Sequence, residues 1–369
     1  MKLVDTISWL MGRVQKSLFP HLNQCLPTPL TEQEERLVSI LEIIQVERYV
    51  TKNIKSFRYP GRNPLDRQAL ARAFVAKAFY RLATTSDLHR ALQSAGNLRR
   101  ICGFLTVADI PSDSTFSRAF SEFAAGSLGN RVHDALVDKY LSQELIGHIS
   151  RDSTAIIGRE KPARKELKEP KNPGKRGRPA KGEKREAPAE KRLDRQVNQS
   201  AEEAISELPT VCDRGTKKNA QGYKMSWNGY KLHLDTNDIG LPLSALVTSA
   251  SLHDSQAAIP LIKRTSGKVS YLYDLMDAAY DAKRIEEISR SFGHVPIIDK
   301  NGRGKEALPM APHEAERYKI RSTAERANSR LKEDFGANNV MVKGHAKVSL
   351  HLMFGVITLF SDQLLRLIV

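Results

Sequence analysis

Cysteine is scarce in this chain of 369 residues, which contains only three. Cys25, Cys102 and Cys212 are odd in number and far apart, and the sequence has no C-x-x-C motif and no cluster of cysteine with histidine. We therefore expect neither a disulfide framework nor a cysteine-based zinc site. The pattern is typical of reduced thiols in a cytosolic protein.

The chain also lacks a long apolar run free of ionisable groups. Residues 348–369 are rich in Leu, Val, Ile and Phe, but four polar residues interrupt them: His351, Asp362, Gln363 and Arg366. Ionisable groups at bilayer depth are costly, so we expect a buried C-terminal helix and no membrane partner. The first residues include an acid and show no small-residue cleavage site, which argues against secretion.

Positive charge is what the sequence has in excess. Lys and Arg number 58 against 42 Asp and Glu, which gives a net charge of +16. This balance favours a polyanionic partner, nucleic acid first and an anionic membrane surface second.

Half of the excess lies in residues 159–196, where 15 Lys or Arg face 7 Asp or Glu. This run contains five prolines and almost no large apolar residue, so it cannot bury a core. We expect a basic, flexible insertion over residues 159–220, with order returning at Gly222.

The segment Lys175–Pro179, K-R-G-R-P, lies within this insertion. It resembles the core of an AT-hook, in which Arg176 and Arg178 would enter a narrow A·T minor groove. A solvated basic linker that contacts phosphates without sequence preference explains the same residues. Both interpretations remain open, and both place DNA beside the insertion.

Helical patterns fill residues 1–145. Thr31 and Glu34 form a capping-box pattern ahead of apolar residues at helical spacing. The segment Pro111–Phe120 opens a helix with short hydroxylated residues and one arginine. That helix could enter a DNA major groove, or the hydroxyl groups could simply cap it.

Strand patterns begin at residue 145. Leu145–Asp152 predicts a strand that ends at Asp152, and two further strands, Tyr230–Asp235 and Leu243–Thr248, complete a meander. Lys268–Met276 predicts a fourth strand that ends at Asp277. Ligands bind at the carboxyl ends of strands in open α/β sheets, which is where Asp277 would lie.

The segment Tyr318–Lys332 predicts an uninterrupted helix, since it has no Pro or Gly and is rich in helix formers. Tyr318, Arg321, Glu325 and Lys332 share one face of it. Apolar residues occupy the opposite face: Ile320, Ala324, Ala327 and Leu331. A solvated helix face with an Arg321/Glu325 ion pair is the simpler explanation of the four polar residues taken alone. The spacing between the four residues favours a functional site instead.

The spacing Y-(2)-R-(3)-E-(6)-K resembles the signature of bacterial insertion-sequence transposases of the DDE type. Ile149–Thr154 resembles the first acidic motif of that family, with Asp152 as its acid. Asp277–Asp281 resembles the D-x-G-Y-D motif of the second acid, although Ala279 replaces the usual Gly. Asp254 is a rival second acid, but it also suits a helix N-cap, so we favour Asp277.

The resemblance implies a ribonuclease-H-like α/β catalytic core over residues 146–369. It also implies an all-helical N-terminal domain, residues 1–145, that helps hold the ends of a mobile element. Asp152, Asp277 and Glu325 would bind two Mg²⁺ ions, with Mn²⁺ as a substitute. Arg321 and Lys332 would contact phosphates, and Tyr318 would pack against the DNA backbone or a terminal base.

The activity that this family implies is cleavage at terminal inverted repeats, followed by attack of the freed 3′-OH on target DNA. We expect double-stranded DNA as the partner, a homo-oligomer on that DNA, and a place beside the nucleoid in the bacterial cytoplasm. A related nuclease or recombinase taken over for a host task is an alternative. A non-catalytic DNA-binding protein with a decayed site is another, against which the intact Asp/Asp/Glu set argues.

Overall fold

The structure is a computed structural model that describes residues 26–50, 67–163, 190–218, 221–302 and 309–367. Cys25, residues 219–220 and the K-R-G-R-P motif with Arg176 and Arg178 lie outside the described residues. The minor-groove hypothesis for those two arginines is therefore still a prediction.

Six helices precede the first strand within the described residues: α1 Glu32–Ile44, α2 Arg67–Phe79, α3 Thr85–Ser94, α4 Gly96–Cys102, α5 Asp113–Ala125 and α6 Leu128–Leu141. The predicted capping box is present at α1, because the Thr31 N–H donates to Glu34 Oε2 (2.8 Å) and the Glu34 N–H donates to Thr31 Oγ1 (3.3 Å). The described residues before β1 are mainly helical, as expected.

The described part of the chain then forms a mixed six-stranded sheet: β1 Leu145–Ile157, β2 Asp213–Lys218, β3 Lys224–Thr236, β4 Pro242–Ser249, β5 Ser270–Met276 and β6 Val295–Ile298. β3 is antiparallel to β1, β2 and β4, whereas β5 is parallel to both β1 and β6. The predicted meander is present as β1, β3 and β4.

The remaining helices cover the two faces of the sheet: α7 Arg192–Asn198, α8 Ala201–Ser206, α9 Ser255–Ser266, α10 Lys283–Ser291, α11 Pro312–Tyr318, α12 Ser322–Glu333 and α13 His345–Arg366. Successive residues of a strand point to opposite faces of the sheet, so neighbouring residues of β1 contact different helices. Ser150 bonds to Thr323 of α12 on one face, while Arg151 reaches groups beneath α9 and α10 on the other.

The expectation that order returns only at Gly222 is wrong, because α7, α8 and β2 are folded. Leu193 and Val197 lie one helical turn apart and pack against the apolar cluster of α9 and α10. Gln196 between them is fully buried and donates to the carbonyl of Gln256 (2.9 Å). The charged residues around this short apolar pair concealed it in the sequence.

The C-terminal helix α13 is buried, as expected, and connects the two parts of the fold. It is long and apolar enough to cross a membrane, but 89% of its apolar window is buried inside the protein. Phe354 and Phe360 join the core of the N-terminal helices, where the rings of Phe354 and Phe74 stack 5.8 Å apart. Leu352 and Val356 join the core beneath α12 and the sheet.

Gly355 lets α13 approach the end of α12 closely. A Cβ atom at this position would lie 2.9 Å from both the Phe335 carbonyl oxygen and Leu331 Cδ1. We expect Gly355→Ala to destabilise the fold by about 1–3 kcal/mol through overpacking. The same exchange inside an exposed helix usually stabilises by about 1 kcal/mol.

Urea unfolding of Gly355→Ala beside Gly267→Ala tests this expectation. The nearest atom to a Cβ at residue 267 is 3.5 Å away, so the control variant has room. A Gly355→Ala protein as stable as the wild type would show that α13 and α12 do not pack closely at this residue.

Candidate active site

Asp152 and Asp277 lie on neighbouring parallel strands at matching positions. Parallel pairing of β1 with β5 ends at Ser150 and Leu275, and each acid lies two residues further along its strand. Asp277 follows β5 directly, as predicted. The prediction that the strand ends at Asp152 is wrong, because β1 continues to Ile157 through its pairing with β3.

The predicted uninterrupted helix is also wrong in one respect. α11 ends at Tyr318, residues Lys319–Arg321 form one 3₁₀ turn, and α12 begins at Ser322. The Ser150 hydroxyl on β1 donates to the Ile320 carbonyl within this turn (3.3 Å). The turn places Arg321 at the start of α12, directly beside the two aspartates.

Arg321 brings the three predicted acids together. Its Nη2 lies 3.6 Å from Asp152 Oδ1 and 3.5 Å from Asp277 Oδ2, and its Nη1 donates to Glu325 Oε1 (2.5 Å). The side chain of Asp152 is 18% exposed and that of Glu325 is 57% exposed, so the cluster runs from the sheet out to solvent. One guanidinium therefore contacts all three carboxylates.

α12 presents its apolar face to the sheet, as the sequence indicated, although the residues before Ser322 belong to the 3₁₀ turn and to α11. Ala324, Ala327 and Leu331 are buried against the sheet, and Ile320 is half-buried. On the polar face the guanidinium of Arg321 lies 5.9 Å from the centre of the Tyr318 ring.

Asn328 belongs to the site but was not predicted. Its Nδ2 donates to Asp152 Oδ2 (3.0 Å), while its buried Oδ1 has no hydrogen-bond partner among the described residues. It lies three residues after Glu325, on the same side of α12, so helical spacing was the signal that could have identified it. Its amide group orients the most buried of the three acids.

Burial changes the protonation behaviour of the acids. It raises the pKa of Asp152 to about 6, although Arg321 opposes that change, and the neighbouring Asp277 adds to it. Burial also raises the pKa of Asp277. Both carboxylates are therefore poorly solvated in their charged form and would gain from a cation.

The helix face beyond Glu325 also carries a half-buried cation. The pKa of Lys332 is lowered by burial and by the charge of Lys217, while Asp152 opposes the change. The phosphate contacts expected for Lys332 and Arg321, and the packing of Tyr318 against DNA, are still predictions.

A second polar network lies on the opposite face of β1 and was also not predicted. Arg151 is fully buried, and its Nε and Nη2 donate to both carboxylate oxygens of Asp235 (2.8 and 2.7 Å). Its Nη1 lies 3.4 Å from Asp274 Oδ1, and Thr265 and Ser289 donate to the two aspartates. Because Asp235 is on β3 and Asp274 on β5, the network fixes β1 between its neighbours.

Asp254, the rival second acid, lies near enough to Asp277 for its charge to help raise the pKa of that group, but it is held by other partners. Its Oδ1 accepts from Lys231 Nζ (2.8 Å), and it begins α9 without a side-chain capping bond. The contact to Arg321 belongs to Asp277, which therefore stays the better candidate.

The donor set suits a hard divalent cation, but the three acids are not arranged around one as they stand. Within the described ranges, no group of three or more His, Cys, Asp or Glu side chains has a metal-binding arrangement. Mg²⁺ binds oxygen at about 2.0–2.1 Å, whereas Arg321 Nη2 holds the two aspartates at 3.5 and 3.6 Å. The oxygens fit Mg²⁺ or Mn²⁺ chemically, with Arg321 now supplying the positive charge.

The N-terminal segment Pro111–Phe120 retains both of its interpretations. Thr115 and Phe116 are buried, while Ser114, Ser117 and Arg118 are exposed on α5. Ser112 makes no side-chain capping bond, and its hydroxyl contacts Ser114 Oγ at 3.0 Å. DNA reading by this helix is still a prediction.

Two family models match the chain. One, described as a transposase DDE domain, covers residues 206–360 and so includes Asp277 and Glu325. The other, described as a transposase domain (DUF772), covers residues 28–122. Asp152 lies between the two matched ranges. No curated protein and no solved structure matches the chain significantly.

The raised pKa of Asp152 predicts how stability depends on pH in metal-free buffer. A carboxyl group whose pKa rises on folding favours the folded state at low pH, and this contribution is lost as the pH rises through about 6. Asp152→Asn should therefore be more stable than the wild type at pH 7.5, by about 1–3 kcal/mol. Its advantage should shrink towards pH 4.

Chemical denaturation at the two pH values measures this difference. The control is Asp138→Asn, which changes an exposed acid and should give no pH-dependent gain. An Asp152→Asn protein that is less stable than the wild type at pH 7.5 would contradict the proposed desolvation of Asp152.

Proposed function

The chain belongs to the DDE transposases of insertion sequences, and we propose that it cuts the ends of its element and joins the freed 3′ ends to target DNA. The observation that carries this proposal is the contact of Asp152, Asp277 and Glu325 with one guanidinium. The net charge of +16 supports DNA as the substrate.

The sheet supports a ribonuclease-H-like core for this chemistry. In the order β4, β3, β1, β5, β6, neighbouring strands among the first three are antiparallel, and β5 and β6 are parallel to β1. Asp152 lies on β1 and Asp277 directly follows β5, so two of the candidate acids come from neighbouring strands. We assign the catalytic domain to residues 146–369 and the end-binding domain to residues 1–145. α13 lies in the catalytic domain and also packs into the core of the N-terminal helices, which implies that the two domains act as one body.

Asp152, Asp277 and Glu325 would hold a pair of Mg²⁺ ions. When bound, these ions supply activation of the attacking oxygen and stabilisation of the leaving oxygen in an in-line displacement. Asn328 keeps the Asp152 carboxylate oriented, and Arg321 neutralises the three acids before substrate arrives.

DNA contacts would come from α12 and from the turn that precedes it. Lys332 and Arg321 carry the positive charge that phosphates require, and Tyr318 at the end of α11 offers a ring beside Arg321. Two element ends must be held together for joining, so we infer a homo-oligomer on double-stranded DNA. Its place would be with the nucleoid in the bacterial cytoplasm.

Glu325→Gln should separate binding from chemistry. The variant keeps the size of the side chain and a hydrogen-bond acceptor for Arg321, but it loses the charge that a cation needs. We expect DNA-end binding to persist and Mg²⁺-dependent strand cleavage to fall by at least about 100-fold, or ~2.7 kcal/mol. Gel-shift and nicking assays on the ends of the element measure the two quantities.

Glu316→Gln is the matched control, because Glu316 is 72% exposed and pairs with Lys319 outside the acid cluster. It should cut DNA like the wild type. Cleavage by Glu325→Gln at the wild-type rate would remove Glu325 from the catalytic set.

A further inference from the structure

A two-stranded ribbon extends beyond the sheet, formed by residues 213–218 of β2 and 224–228 of β3. Pairing runs from Asp213 with Gly229 to Lys218 with Lys224. β1 pairs with β3 only as far as Gly229, and β4 only as far as Tyr230. Within the described residues, 224–227 therefore pair with β2 alone, outside the core of the sheet, while Asn228 at the base of the ribbon also accepts from the Gly158 N–H (2.9 Å).

The base of the ribbon is held firmly. Gly229 has a φ of +148°, and a Cβ atom there would lie 2.2 Å from the Ile156 carbonyl oxygen. The ring of Trp227 covers Gly215, where a Cβ atom would lie 2.5 Å from the ring, and Trp227 Nε1 donates to the Tyr230 carbonyl (3.0 Å). This packing fixes the direction in which the ribbon leaves the sheet.

The ribbon surface is basic and solvent-exposed. Four cationic residues on it are exposed: Arg214, Lys217, Lys218 and Lys224. Asp213 is the one acid within its defined residues. Thr216 and Ser226 add a pair of exposed hydroxyl groups 3.2 Å apart across the strands. Hydrophobic burial does not explain such a surface, whereas a polyanion complements it.

The ribbon continues from the strand that lies beside the candidate active site. β3 pairs with Asp152 of β1 at Leu234 and enters the ribbon at Asn228, six residues earlier in the chain. The charge of Lys217 contributes to the lowered pKa of Lys332 on α12. A phosphate beside either cation would offset that repulsion.

We propose that the ribbon is an arm that grips the phosphate backbone of the duplex whose end lies in the active site. The major groove of B-DNA is wide enough for a two-stranded ribbon, so the arm can lie in it with Lys217, Lys218 and Lys224 against phosphates. The arm contributes affinity without reading sequence. The inference rests on the proposed function, because the duplex is the substrate of that site.

The salt dependence of binding tests the arm. The variant Lys217→Ala/Lys218→Ala/Lys224→Ala and the wild type are titrated with a 30-base-pair duplex of arbitrary sequence, in Ca²⁺, at several salt concentrations. Each lost phosphate contact lowers the log–log slope by about 0.9, so we expect a decrease of roughly 2–3. Replacing the same lysines by arginine should restore the wild-type slope.

The control variant is Lys283→Ala/Arg284→Ala/Arg290→Ala, which removes the same charge from exposed residues of α10, outside the basic insertion and the N-terminal domain. It should keep the wild-type slope. An unchanged slope in the ribbon variant, or an equal loss in the control, overturns the assignment of an arm.

Cleavage separates this inference from the proposed function. At moderate salt the ribbon variant should need at least about threefold more DNA than the wild type for half-maximal cleavage of the element ends, because the arm supplies affinity. If the wild type cuts DNA and the ribbon variant keeps the wild-type salt-dependence slope, the arm is rejected and the catalytic proposal is not. A wild type that binds DNA through the ribbon and never cuts rejects the catalytic proposal alone.

Discussion

The sharing of one guanidinium by three carboxylates is the interaction on which the site depends. Asp152 and Asp277 are poorly solvated, and like charges held together would raise the cost of ionising either one. The positive charge of Arg321 offsets this cost. Arg321 lies in the 3₁₀ turn, which is bonded to β1 because the Ser150 hydroxyl donates to the Ile320 carbonyl. The sheet and the helix thus meet through a charge contact.

Two adjacent residues of β1 have separate roles: Asp152 belongs to the candidate site, and Arg151 belongs to the buried network that holds the strand in place. Asp152 faces α12, whereas Arg151 faces the other side, where Asp235 and Asp274 surround it. A buried ion pair of this kind contributes little net stability unless its remaining groups are satisfied. Here they are bonded by Thr265 and Ser289, so the network restrains β1 against β3 and β5 and thereby restrains Asp152.

The sequence predicted the parts of the site that depend on local periodicity. Strand and helix patterns alone give the position of Asp277 after a buried strand and that of Arg321 four residues before Glu325, but the family resemblance selected these residues as a site. The 3₁₀ turn at Lys319–Arg321 was missed because a contact from a distant strand accompanies it. The burial of Arg151 was missed because arginine is ordinarily exposed, and nothing near it in the sequence indicates its partners. Family resemblance, more than spacing, connected Asp152 to the other two acids.

The most direct test of the central claim is the position of a bound cation in crystals soaked with Mn²⁺. An anomalous difference map should place Mn²⁺ at metal–ligand distance from carboxylate oxygens of both Asp152 and Asp277, with the Arg321 guanidinium displaced from its present contacts. Mn²⁺ bound elsewhere, with Arg321 still bridging the three acids at saturating metal, would contradict the assignment of these residues as a catalytic metal site.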